Sequence, residues 1–189
     1  MTRMFSNCIS LTSIDLSHLN TKNVLRMDFM FENCISLKSI DLSKLNLSQV
    51  FLLSCMFSKC SGIESINLSN LNFLKLEDTS SMFADCTKLT SINLKNVRTP
   101  SLTRMSNMFS GCQSLKSIDL SSLNTSKVTS FSFLFYKCYN LTSFDISNFI
   151  TDNAYSLGGM FSYCKSLTSI NISHFNFSNI AYMDFIFYY

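Results

Sequence analysis

The stretch Met30-Phe31-Glu32-Asn33-Cys34-Ile35-Ser36-Leu37-Lys38-Ser39-Ile40-Asp41-Leu42-Ser43-Lys44-Leu45-Asn46 decides the fold, because it recurs through the whole sequence. Cysteine returns at 8, 34, 60, 86, 112, 138 and 164, a constant step of 26 residues, and each of these has a phenylalanine three places before it, from Phe5 and Phe31 to Phe161. A fixed period without insertion or deletion is the mark of a stacked-repeat architecture. Copies begin at Met4, Met30, Met56, Met82, Met108, Leu134 and Met160, with a partial eighth from Ile186, so residues 1–189 are expected to form one solenoid. Positions within a copy are numbered below from this first residue, so that Phe is 2 and Cys is 5.

Two periodicities share the unit. Ser39, Asp41 and Ser43 alternate with Ile40 and Leu42, the period of 2 that makes a short strand with one buried and one wet face. Val24, Met27, Phe31 and Cys34 follow one another at spacings of 3, 4 and 3, which predicts one face of a short helix. The only proline agrees with that helix: Thr99-Pro100 aligns with Thr21-Lys22, Thr125-Ser126 and Thr151-Asp152, so Thr is expected at the N-cap and Pro100 at the first helical position. Gly158-Gly159 replaces Asp28-Phe29 and predicts a shortened or irregular helix in that copy. One copy cannot cover both ends of its own core, so copies must stack, with their strands in one parallel sheet at ~4.8 Å per copy.

Composition fits a packed core. The 189 residues are 47% hydrophobic, with 18 Phe, 8 Cys, only 4 Gly and 1 Pro, and no Trp, which excludes collagen-like and linker classes. Fifteen Lys and Arg against 12 Asp and Glu leave a net charge of +3, and the basic residues lie singly from Arg3 to Lys165, not in the stripe that a nucleic-acid or anionic-membrane partner would need. No apolar run approaches the ~20 residues of a membrane span, and the start lacks the apolar stretch of a secretory signal, so a soluble chain is expected. Ile186-Phe187-Tyr188-Tyr189 opens a copy without a polar cap, which predicts either a longer parent protein or end-to-end self-association.

The run Leu11, Ile14, Leu16, Leu19, Asn20, of the form Leu-x-x-Ile-x-Leu-x-x-Leu-Asn, resembles the strand segment of leucine-rich repeats. The fuller unit, Met-Phe-x-x-Cys-x-x-Leu-x-Ser-Ile-Asp-Leu-Ser-x-Leu-Asn, is similar to the BspA-type leucine-rich repeats of microbial surface proteins, and the resemblance covers all seven copies. It implies an α/β repeat solenoid with one parallel sheet on the concave face and short helices on the convex face. It also implies a non-enzymatic role in adhesion, a host or matrix protein as partner, and a cell-surface or secreted location. Asn20, Asn46, Asn72, Asn124 and Asn176 stand one place later than the ladder asparagine of common leucine-rich repeats, so that role is not carried over.

The wet face of the strands is the candidate binding surface of a non-enzymatic interaction module; the alternative is a structural spacer within a longer surface protein, with no ligand of its own. It carries an unbroken column of Ser13, Ser39, Ser65, Ser91, Ser117, Ser143 and Ser169. Beside it run Asp15, Asp41, Asn67, Asn93, Asp119, Asp145 and Asn171. Asp and Asn are poor strand residues. Two reasons are open for placing them at every rung: Asp15/Asp41 and Asp119/Asp145 sharing a Ca²⁺, or lateral hydrogen bonds with hydrated carboxylates that discourage edge pairing, which we favour. A third column, Thr12, Lys38, Glu64, Thr90, Lys116, Thr142 and Thr168, varies in charge, as recognition or unconstrained drift would make it. The cysteine ladder admits disulfides or a soft-metal site, but its odd number, its apolar face and the absence of Cys-x-x-Cys favour inert core thiols; Cys55, outside the ladder, is the candidate reactive thiol, with a small core filler the favoured reading of it. His18 and His174 lie six copies apart beside serines that recur in copies lacking His, and no Gly-x-Ser-x-Gly, Walker loop or Gly-x-Gly-x-x-Gly is present, so no catalytic centre, metal or cofactor is expected. The sequons at Asn46, Asn67, Asn124, Asn140, Asn171 and Asn176 are by-products of an Asn- and Ser-rich repeat.

Overall fold

A computed structural model describes residues 1–189. Successive copies form successive coils of a solenoid, and equivalent residues lie above one another. Position 2 shows this most directly: the rings of Phe5, Phe31, Phe57, Phe83, Phe109, Phe135, Phe161 and Phe187 form one column with centroids 5.2–5.9 Å apart and planes within 12° of parallel. A contiguous core of 51 buried residues, from Leu16 to Phe175, runs up the inside and contains the cysteines from Cys34 to Cys164. Leu37, Ile40 and Leu42 of the second coil and their equivalents point into it, while Lys38, Ser39 and Asp41 face solvent, as the period of 2 requires.

The expected helices are absent, so the α/β assignment with helices on one face is corrected: each coil instead carries a run of β-turns from position 24 to position 5. Where the first copy runs into the second, Met30 N–H closes on Met27 O (3.2 Å), Glu32 N–H on Phe29 O (3.1 Å) and Cys34 N–H on Phe31 O (3.1 Å). The residues between them donate along the stack: Phe29 to Ser54 O (3.0 Å), Phe31 to Met56 O (2.9 Å) and Asn33 to Ser58 O (2.8 Å). These three rungs recur at every junction between coils. Positions 26 and 4 have positive φ in every coil, for example Phe29 (59°), Asn33 (59°), Cys55 (57°) and Lys59 (62°), the left-handed third residue of a type II turn. This reversal turns alternate N–H groups toward the next coil, whereas a helix would spend them on its own i−4 carbonyls. Spacings of 3 and 4 between buried residues arise as well from chained turns as from a helix. The many Ser, Asn and Asp in this segment favour turns.

The helix starts read at Thr and Pro are likewise turns. Leu102 N–H closes on Thr99 O (3.3 Å), placing Pro100 second in a turn, where its fixed φ is favoured. The Thr hydroxyls tie coils together instead of capping helices. Oγ1 of Thr21, Thr99, Thr125 and Thr151, each at least 97% buried, accepts the N–H of Asn46, Asn124, Ile150 and Asn176 in the following coil at 2.8–3.1 Å. Gly158-Gly159 does not disturb its coil: Gly159 (φ 63°) occupies the left-handed position 26, and a Cβ there would lie 2.4 Å from the Phe133 ring.

The expected seven-stranded sheet is also reduced. Only β1 (Ser65–Asn67) and β2 (Ser91–Asn93) are regular strands, parallel and in register Ser65↔Ser91, Ile66↔Ile92 and Asn67↔Asn93, with a bridge from Asp41 to Asn67. The other coils are extended in the same register with sparser bonds, such as Thr142 N–H to Lys116 O at 3.2 Å. A longer ladder of bridges runs at position 23, from Arg26 through Leu52, Asp78, Arg104, Ser130 and Ser156 to Tyr182. The stack is therefore stitched most densely on its turn face.

Candidate functional site

The strand face gathers every candidate binding residue onto one exposed surface: Thr12, Ser13, Asp15, Lys38, Ser39, Asp41, Glu64, Asn67, Asn93, Lys116, Asp119, Asp145 and Asn171. The Asp/Asn column has a local task that neither expected reason supplied. In each coil its Oδ1 accepts the backbone N–H two residues on, from Ser17 to Asp15 (2.8 Å), Ser43 to Asp41 (2.8 Å), Ser69 to Asn67 (3.0 Å), Lys95 to Asn93 (3.1 Å), Ser121 to Asp119 (2.9 Å), Ser147 to Asp145 (2.7 Å) and Ser173 to Asn171 (3.0 Å). These Asx-turns end the extended segment and bend the chain into the next corner. These bonds, with the hydroxyls of the same serines, hold the Asp15, Asp41 and Asp145 carboxyls below their ordinary range, and at Asp119 the Ser121 hydroxyl leads and its N–H follows. Asn20, Asn46, Asn124 and Asn176 do the same at the following corner, accepting from Lys22, Ser48, Ser126 and Ser178.

Position 9 mixes two kinds of residue. Thr90 and Thr142 donate their hydroxyls to Glu64 O (2.9 Å) and Lys116 O (3.3 Å) of the preceding coil. Lys38, Glu64 and Lys116 are exposed at the same position, and the ion pairs of the protein lie elsewhere, at Arg3–Glu32, Arg26–Asp28 and Arg104–Asp78. Burial alone would raise the Asp28 carboxyl, but hydrogen bonds from Arg26 and Thr2 outweigh it and hold it low.

The cysteine ladder consists of free thiols. Each Sγ–H from Cys34 to Cys164 donates to the carbonyl of the phenylalanine one coil back, from Cys34 to Phe5 O (3.1 Å) through Cys164 to Phe135 O (3.1 Å). That carbonyl already accepts the N–H of its own coil's cysteine, so Phe-x-x-Cys is a two-coil hydrogen-bond unit. Burial pushes the Cys60 and Cys164 thiols up to about 12, and Cys86, Cys112 and Cys138 well above their ordinary value. Cys55 is half-buried, and burial raises its pKa too, so the candidate reactive thiol of the sequence is held protonated at neutral pH. His18 Nε2 lies 4.0 Å from Asp15 Oδ2, and His174 Nε2 pairs with Ile146 O (3.0 Å). No three His, Cys, Asp or Glu side chains converge as a metal site would need, so neither Asp pair finds a third such partner.

The turn face holds a feature that the sequence reading did not single out. Phe133, Tyr136, Tyr163, Tyr188 and Phe185 form a continuous edge-to-face strip with centroids 5.4–5.7 Å apart. Those at positions 3 and 4 stand where earlier coils carry Ser6, Asn7, Glu32, Asn33, Ser58 and Ala84, so alignment of the copies would have revealed the change there, whereas position 26 is already aromatic at Phe29.

Two stretches that together span the chain, residues 1–118 and 103–189, match the family profile described as "Mycoplasma protein of unknown function, DUF285". No curated protein matches the sequence. Among solved structures, the chain is similar to a leucine-rich repeat protein of T. pallidum, with TM-score 0.63 and 23% identity over 89% of this chain and 70% of that one. It is also similar to a leucine-rich repeat protein of Bacteroides ovatus, with TM-score 0.50 and 22% identity over 86% of this chain and 44% of that one. The likeness is one of fold: the protein is a leucine-rich-repeat-like solenoid.

Proposed function

The chain belongs to the DUF285 family, described as Mycoplasma protein of unknown function, and from that premise, which supplies a fold but no activity, we propose that it is a non-enzymatic protein-binding array. The partner docks on the strand face, across positions 9, 10 and 12. One observation carries this reading. The repeated Phe, Cys, Leu, Ile, core Thr and Asp/Asn columns have tasks inside the fold, whereas Lys38, Glu64 and Lys116 vary in charge on an exposed, repetitive surface and form no ion pair. A rigid scaffold that displays variable side chains in a regular array is how repeat proteins build extended binding surfaces. Positions 9 to 12 carry two lysines against Glu64 and four aspartates, a net charge of −3 on a chain of +3, so a partner of complementary charge is steered to this face.

By analogy with the resembled family, the partner is a host or matrix protein and the array works at a cell surface or outside the cell. The experiment captures partners with the intact chain and repeats binding with Lys38→Ala, Glu64→Ala and Lys116→Ala. Affinity for the captured protein is expected to fall at least tenfold in the triple variant. A partner indifferent to all three substitutions removes the site, and no partner at all returns the array to a structural spacer.

A further inference from the structure

We infer that the flank of the stack formed by positions 14 to 20 of the first five coils docks a sulfated polysaccharide. Along the chain the basic residues stand singly, but the 26-residue step returns six of them to this flank: Lys22, Lys44, Lys75, Lys95, Arg98 and Lys127, at positions 19, 15, 20, 14, 17 and 20. All six are exposed, and none takes part in an ion pair. No Asp or Glu stands at these positions in the five coils; Asp152 follows in the sixth, and Asp41, on the adjoining strand face, feels the charge of Lys44. The flank therefore carries +6 on a chain of +3, which leaves −3 for everything else. Coils ~4.8 Å apart place the whole group within roughly 20 Å, and successive coils lie inside the ~8 Å Debye length of physiological salt, so their charges act on an anion together. The exposure is that of the side of the stack and owes nothing to its ends.

Charge alone would suit any polyanion, and the clefts between the cations narrow the class. A cleft of about 340 Å³ is lined by Lys22, Asn23, Leu25, Asn46, Ser48 and Gln49. Arg98 borders two more, one of about 160 Å³ with Asn70, Asn72 and Asn96, and one of about 280 Å³ with Ser122 and Asn124. Amides and hydroxyls are neutral donors and acceptors that match sugar hydroxyls, and the cations beside them match sulfate. A bilayer would meet the lysine tips and leave the clefts empty. Nucleic-acid bases would find nothing to stack on, because the only Phe, Tyr or Trp among these positions, Phe73, is buried. One sugar unit of an extended polysaccharide is about as long as one coil is high, so a charge on every sugar, which sulfation supplies, meets a cation in every coil.

Calorimetric titration of the full chain with heparin fragments of defined length tests this. Saturable binding that weakens as salt rises is expected, because bound cations release counterions from the polyanion. Lys75→Gln, Arg98→Gln and Lys127→Gln combined should lower affinity at least tenfold and flatten the salt dependence, with unchanged circular dichroism. Lys59→Gln, Lys88→Gln and Lys165→Gln combined remove the same charge from exposed sites elsewhere and should leave affinity within twofold. Asn72→Ala should weaken binding at least threefold with the same salt dependence, as the loss of a sugar contact would. Absence of heparin binding, equal losses in the two triple variants, an Asn72→Ala variant that binds as before, or desulfated heparin held as tightly as heparin overturns the inference. Duplex DNA or phosphatidylserine vesicles held as tightly overturn it too, since the flank would then be a general anion exchanger. The strand face plays no part, so the Lys38, Glu64 and Lys116 substitutions are expected to leave heparin binding within twofold.

Discussion

Replacing Thr125 by Val keeps the shape of the side chain but deletes the hydroxyl that accepts Ile150 N–H at 2.8 Å. Thr125 is 1% exposed, so water cannot take over the bond, and a buried backbone donor is left without a partner. The cost of such an orphan is about 1–3 kcal/mol. One route of relief is visible in the third coil, where Phe73 stands in place of Thr and Arg98 N–H turns to Leu71 O at 3.4 Å, a long bond that recovers only part of the loss. We therefore expect a loss of about 1–2 kcal/mol, read as a lower urea midpoint with an unchanged slope. Thr142→Val is the control: its hydroxyl is exposed and bonds Lys116 O at 3.3 Å, so its effect should stay within about 0.5 kcal/mol. Equal effects of the two substitutions would refute the assignment of Thr as the stitch between coils.

Further outcomes follow from the same geometry. At Lys59 (φ 62°), exposed and in the left-handed turn position, Lys59→Gly should be more stable than Lys59→Ala by about 1 kcal/mol, the reverse of the order in a helix, and equal or inverted values in urea unfolding would restore the helix. Buried thiols make the fold alkali-sensitive: unfolded cysteines ionise near pH 9 while Cys60 and Cys164 hold their protons to about 12, so stability is retained below pH 9 and falls through this window by up to about 1.4 kcal/mol per pH unit for each buried thiol. Cys112→Ala with Cys138→Ala should flatten that fall, and parallel stability-against-pH curves would contradict it. At the acid end, Asp28 is held low by Arg26 and Thr2, so its contribution is present above the ordinary carboxyl range and is lost as pH falls through its depressed value; Asp28→Asn should remove that part of the acid transition in a pH series of unfolding curves.

The period was plain in the sequence, because seven equivalent phenylalanines and cysteines can repeat without a break only if they stack, and the Phe column runs as that spacing demands. The wet and buried faces of the strand were also legible, since alternation at Ser39, Ile40, Asp41 and Leu42 has one geometric reading. The helix was not, because Val24, Met27, Phe31 and Cys34 are spaced alike in a helix and in chained turns; what separates the two is the sign of φ at positions 26 and 4, where the left-handed signal of Asn7, Asn33, Asp85 and Gly111 is diluted by Phe29, Lys59, Lys137 and Tyr163. The Asx-turns escaped because alternation placed Asp41 within a strand, while its side chain serves the corner that ends it. The aromatic strip escaped because comparison of copies stressed what they share, whereas Tyr136 and Tyr163 matter by departing from it.

Alternate N–H groups of the Phe-x-x-Cys segment are spent on the neighbouring coil, and the whole stack depends on that exchange. Through-hydrogen-bond N–C′ coupling, measured by NMR on labelled protein, identifies donor and acceptor directly. A correlation is expected from the Phe57 amide to the Met82 carbonyl, 26 residues from Met56 and one coil away, with equivalents from Phe31 to Met56 and from Phe83 to Met108. A correlation from Phe57 to Leu53 instead, the i−4 bond of an α-helix, would contradict it.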